Sequence, residues 1–122
     1  MRVRDVPRKR WEAVIVNNSH PSLVLFWCPW CEWSRKLTRV LEELSPLYDG
    51  RLNFYAVNVE GDGELAERYG VKSVPTLMFF YQGKPLYKLV GYHQPELIKE
   101  ELDKVLRIYR ACLDQSSSLT IQ

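Results

Sequence analysis

Residues 23–27, Leu-Val-Leu-Phe-Trp, are an unbroken apolar run that passes almost directly into a helical pattern starting at Glu32. A half-exposed strand alternates apolar and polar residues, whereas a strand without a polar face is covered on both sides. The chain therefore has to build layers on both faces of a sheet, with this strand near its centre. The rest of the chain repeats the strand and helix theme. Residues 2–6 are short and alternating, and Pro7 can open a helix whose apolar positions Trp11, Val14 and Ile15 recur at helical spacing. Asn17-Asn18-Ser19-His20-Pro21 is a cluster of turn formers. From Glu32, the residues Leu37, Val40, Leu41 and Leu44 share one stripe until Pro46 and Asp49-Gly50 end the helix. Residues 52–59 read as a strand and residues 64–69 as a short helix, with Gly70 placed for a left-handed C-terminal cap. Two β-rich runs, 76–81 and 86–90, are joined through Gln82-Gly83-Lys84-Pro85, and Pro85 is tolerable only near a sheet edge. Pro95 opens a last helix with Leu97, Ile98, Leu102, Val105, Leu106, Tyr109 and Cys112 on one stripe.

The order β-α-β-α-β-α-β-β-α predicts an α/β fold: a central mixed five-stranded sheet with helices on both faces. One domain over residues 1–114 and a flexible tail over 115–122 are expected. The 122 residues carry 17 Lys and Arg against 15 Asp and Glu, a net charge of +2. That is too small to favour nucleic acid or an anionic membrane over the whole surface, so neither is an expected partner. Five of the first ten residues are basic, which reads as the solvated face of the first helix. The longest apolar run, residues 23–28, is far short of the ~20 residues that cross a bilayer. Three cysteines leave at least one thiol unpaired within the monomer, which points to a reducing compartment, with cytoplasm as the default. One Cys-x-x-Cys with His20 and His93 distant lacks a second ligand pair at zinc spacing, so no metal and no cofactor are expected.

The chemistry-bearing segment is Phe26-Trp27-Cys28-Pro29-Trp30-Cys31-Glu32-Trp33-Ser34-Arg35. A cysteine at a helix N-terminus has its thiolate favoured by the aligned peptide dipoles, and Cys31 occupies such a place. Together with Tyr69-Gly70-Val71-Lys72-Ser73-Val74-Pro75-Thr76, Gln82-Gly83 and Val90-Gly91, this segment resembles the thioredoxin superfamily, both thioredoxins and the thioredoxin-like domains of protein disulfide isomerases. The likeness covers roughly residues 3–107, with the motifs in the family's order. It implies the thioredoxin fold.

The flanking aromatics fit the family only when Cys31 is the nucleophile, which puts Cys28 on the family's Ala position and Ser34 on its resolving cysteine. The active-site motif is then Cys-x-x-Ser. A hydroxyl at position 34 could hydrogen-bond the Cys31 thiolate, but it cannot attack a mixed disulfide. Resolution is left either to Cys28, if Pro29 folds the segment enough to bring the Cα atoms within ~7 Å, or to an external thiol. Position 28 belongs to the strand, which gives no assurance that its side chain faces Cys31, so a glutathione adduct on Cys31 is the expected oxidised form. The family's buried acid corresponds to Leu25 and the lysine beside it to Ala56, a joint loss that avoids an unpaired ion in the core. Arg39 replaces a helix-kinking proline. Cys112 reads as a small hydrophobe of the last helix.

The resemblance further implies a cis peptide before Pro75 that offers the Val74 backbone to a substrate strand. Trp30, Trp33, Gly91 and Tyr92 would surround the site, and Trp27 reads as core. The function so implied is a thiol–disulfide oxidoreductase acting through a Cys31 mixed disulfide on protein disulfides or glutathione, with a thiol reductase as a further partner. The alternative is a non-catalytic binding module that holds a partner across Val74-Pro75 and the tryptophans.

Overall fold

The structure, a computed structural model, describes residues 3–120, with side chains through residue 111. Its strands are β1 (Val3–Asp5), β2 (Ser22–Trp27), β3 (Asn53–Asn58), β4 (Thr76–Tyr81) and β5 (Lys84–Val90), and its α-helices are α1 (Glu32–Leu44), α2 (Gly63–Arg68) and α3 (Pro95–Thr120). They form one five-stranded sheet in the order β1-β3-β2-β4-β5. β1 and β2 run parallel to β3, while β4 is antiparallel to both β2 and β5. This is the expected mixed sheet, with the apolar run at its centre and Pro85 on an edge strand. The ladder is irregular between Phe79 and Phe80, opposite Pro85, where no N–H is present to donate.

Burial shows why β2 lacks a polar face. Val24 and Phe26 join Trp11, Ile15, Val57, Leu65, Ala66, Met78 and Phe80 in one apolar cluster. Leu23, Leu25, Phe54, Ala56, Leu77 and Phe79 alternate with these along the strands and are equally buried, so both faces of the sheet are covered. α1 packs on β1 and β2 and buries Leu37, Val40, Leu41 and Leu44, the stripe read from the sequence. In the β2–β3 register Leu25 lies opposite Ala56, so the two apolar replacements sit side by side in the core.

Two elements differ from expectation. The first helix is a 3-10 turn (Arg8–Arg10) followed by a π-helical turn (Glu12–Val16) in place of an α-helix. Val14, Ile15 and Val16 are β-branched and poor at holding the α geometry, and burying Trp11 and Ile15 together outweighs the ideal backbone bonds. α3 continues to Thr120, through the residues expected as a tail from position 115, because no Gly or Pro follows Pro95 to break it. The side chain of Cys112 lies outside the described residues. The chain divides into two compact units, one up to Tyr92 that holds the sheet and one from His93 that holds α3. In the second unit Ile98, Leu102, Val105 and Leu106 are buried, and Lys99 pairs with Asp103 at 3.0 Å.

The β4–β5 hairpin turns on Gln82 and Gly83, both at positive φ (51° and 83°), the two-residue geometry matched to strand twist. A Cβ on Gly83 would lie 2.9 Å from Cγ2 of Val16. Gly83→Ala therefore has to strain the turn and displace Val16, and it is expected to destabilise the protein by about 1–3 kcal/mol. Urea unfolding measures this; an unchanged midpoint would contradict it.

Candidate functional site

Because β2 and β3 are parallel, their C-terminal ends lie together, with Trp27 in register with Asn58. Pairing goes one step further, since the Val59 N–H donates to the Trp27 carbonyl at 2.9 Å. The residues just beyond, Cys28 on one chain segment and Glu60 on the other, meet at this end of the sheet. The Cys28 thiol donates to Glu60 Oε1 at 3.5 Å.

Pro29 and Trp30 form a tight turn in which the Cys31 N–H donates to the Cys28 carbonyl at 3.1 Å. Such a turn holds the first and last Cα atoms within ~7 Å, the separation a disulfide can span. Cys31 is the N-cap of α1, extended at φ −93° and ψ 122°, and its carbonyl accepts the Arg35 N–H at 3.1 Å. Cys28 is buried and Cys31 partly exposed, and both thiols are free. The outer thiol is the more accessible of the two.

The hydrogen-bonding neighbour of the Cys31 thiol is Cys28, and this contact is the main reason its pKa is raised above the ordinary thiol value. Partial desolvation and the nearby Cys28 and Glu60 charges push the same way, while Arg35 pulls it down. The expected thiolate-favouring helix terminus is present, yet the net direction is upward. The proton is shared towards a neighbouring sulfur and a carboxylate stands close by. Alkylation of Cys31 by iodoacetamide should thus keep rising with pH past the ordinary thiol range near ~8.5. A plateau already reached at neutral pH would contradict the site geometry.

Ser34 is fully buried, and its Oγ accepts the Cys28 N–H at 3.2 Å. The serine anchors the backbone of Cys28, where the sequence suggested a bond to the Cys31 sulfur. The structure thus brings Cys28, Cys31 and Ser34 together through the backbone of Cys28, whose thiol meets Glu60.

The Val74–Pro75 peptide is cis, and the Pro75 carbonyl accepts the Gly91 N–H at 2.8 Å. Trp33, Val74, Pro75, Gly91 and Tyr92 line an apolar groove of about 320 Å³. The Trp33 and Tyr92 rings lie 5.3 Å apart, and Lys36 Nζ sits 4.4 Å from the Trp33 ring centre. Trp30 is 77% exposed and stands apart from this groove's lining. Glu60 escaped the sequence reading. Its signal was positional: an acid just past the carboxyl end of a strand parallel to the one that ends at the cysteines. Among the described residues no helix is long and apolar enough to cross a membrane.

The family model for thioredoxin matches residues 2–104. The chain is 29% identical over 104 residues to "Thioredoxin M-type, chloroplastic" of Pisum sativum, which covers 85% of this chain and 60% of that protein. It therefore spans about three fifths of the length of that relative. It is 33% identical over 102 residues to "Thioredoxin 1" of Nostoc sp., covering 84% and 95% of the two chains, and 32% identical over 96 residues to "Thioredoxin" of Rickettsia bellii, covering 79% and 91%. With the strand order, the cysteine-capped α1 and these matches in hand, the chain belongs to the thioredoxin family.

Proposed function

We propose that the protein is a thiol–disulfide oxidoreductase in which Cys31 attacks a substrate disulfide, is held as a mixed disulfide and is released by Cys28. The observation that carries this reading is the pair of free thiols joined by one tight turn: one partly exposed at the cap of α1, the other buried three residues before it. The Cys28–Cys31 turn supports an internal disulfide over a lasting glutathione adduct. Among the described residues Val74 has no backbone hydrogen-bond partner, so an extended polypeptide could pair there while its side chains lie in the Trp33–Tyr92 groove. Protein disulfides are accordingly the proposed substrate class, with a thiol reductase or glutathione returning the dithiol. Work in a thiol-reducing compartment, the cytoplasm in this reading, keeps both sulfurs free.

Insulin-disulfide reduction by dithiothreitol tests the proposal. The protein should shorten the lag before insulin B-chain precipitation, whereas a binding module of the same fold would leave the lag at its uncatalysed length.

A further inference from the structure

A resolving thiol reacts as thiolate, so something must accept its proton while the mixed disulfide stands. The position that carries a buried acid in the resembling family is Leu25 here, wholly buried among apolar side chains and paired with Ala56. The core cannot supply a base. Ser34 is occupied in accepting the Cys28 N–H. Glu60 is the carboxylate that receives the Cys28 S–H bond, at 3.5 Å. Its backbone is held by the Asn58 side chain, whose Oδ1 accepts the Glu60 N–H at 2.9 Å, and by the Asn58 carbonyl, which accepts the Gly61 and Asp62 N–H groups at 3.2 and 2.9 Å. The loop is fixed, and β3 sets where it starts. Among the described residues, the ionisable groups that act on the Cys31 thiol are Cys28, Glu60 from this loop and Arg35 from α1, and Glu60 also faces the Cys28 thiol.

We infer that Glu60 is a catalytic residue, the general base that deprotonates Cys28 and so makes it the resolving thiol, entering from the loop after β3. This rests on the proposed Cys31 mixed-disulfide reading. In the first step the Cys31 sulfur attacks the substrate disulfide, forms a Cys31–substrate bond and expels one substrate thiolate, which takes up a proton. In the second step the Cys28 proton passes to Glu60 Oε1 and the freed pair on Cys28 Sγ bonds to Cys31 Sγ. The Cys31–substrate bond breaks with its electron pair going to the second substrate sulfur, which is protonated by Glu60 or water. The substrate disulfide gains two electrons and the protein becomes the Cys28–Cys31 disulfide.

The test is a stopped-flow reaction of the reduced protein with one equivalent of dithiobis(nitrobenzoate), in a Cys112→Ser background so that only two thiols report. The parent should release one nitrothiobenzoate in a first phase and a second in a following one. Glu60→Gln should slow the second phase near pH 7 by on the order of a hundredfold, the usual weight of a positioned base. Above about pH 10, where a thiol ionises unaided, the difference should close. The first phase should be unchanged or faster, because the negative charge that helps keep Cys31 protonated is gone. A loosened loop would not confine the loss to the second step and to pH values below the thiol range. Glu60→Asp should fall between. If Glu60→Gln keeps the parent's second phase at every pH while Cys28→Ser loses it, Glu60 is not the base and the resolving role of Cys28 stands. If Cys28→Ser retains the second phase, or the parent lacks it, the resolving reading itself is overturned and the inference with it.

Discussion

Cys31→Ala is expected to return insulin reduction to the rate of dithiothreitol alone, since no other described thiol is both partly exposed and at a helix cap. Cys28→Ala should act differently. On the proposed mechanism it should leave the first attack intact and make release wait for an external thiol. A neighbouring thiol held in the turn has an effective concentration far above a millimolar reductant, so the variant should turn over at least about a hundredfold more slowly with a monothiol reductant. It should also accumulate a mass-resolved adduct on Cys31. If Cys31→Ala kept the parent's turnover, the nucleophile would lie elsewhere; if Cys28→Ala did, the protein would work as a monothiol.

The largest stability effect is expected at Trp11, which is 1% exposed and wedged between α2 and the sheet. Its ring meets Phe80 edge-on at 5.3 Å and Tyr69 at 5.5 Å, and its Nε1 donates to the Tyr69 hydroxyl at 3.0 Å. Trp11→Ala opens a cavity that the short 3-10 and π-helical turns cannot collapse around, at a cost of about 3–5 kcal/mol. For a domain of this size that is a fall of roughly 10–20 °C in Tm. Trp11→Phe keeps most of the packing and leaves the Tyr69 hydroxyl without its donor, so a loss of about 1–2 kcal/mol is expected. Thermal unfolding followed by circular dichroism measures both. A shift of under about 3 °C for the alanine variant would mean that this segment is not part of the cooperative core.

Much of this molecule was legible in one dimension because its signals are local. The apolar run of β2, the leucine stripe of α1, the Gln82-Gly83 turn and the edge proline each report a backbone state that neighbours in sequence decide. The cysteine at the cap of α1 was readable for the same reason, since a strand that gives way to a helix fixes which residue stands at the terminus. The helical segment before β2 was misjudged in kind because burial of Trp11 and Ile15 overrode its periodicity. What sequence could not supply was everything that depends on two strands ending at the same height. Parallel β2 and β3 place Cys28 beside Glu60, 32 residues away, and no spacing along the chain records that meeting. The surroundings of Cys28 were likewise settled by a turn hydrogen bond, a buried serine and the Glu60 carboxylate, so what position 28 meets was a tertiary decision. Sequence by itself determined the order of strands and helices and the place of Cys31 at the start of α1, which rest on local periodicity and a helix terminus. Only the packed structure decided which groups surround that sulfur, because the proximity of side chains is set by register between strands and not by distance along the chain.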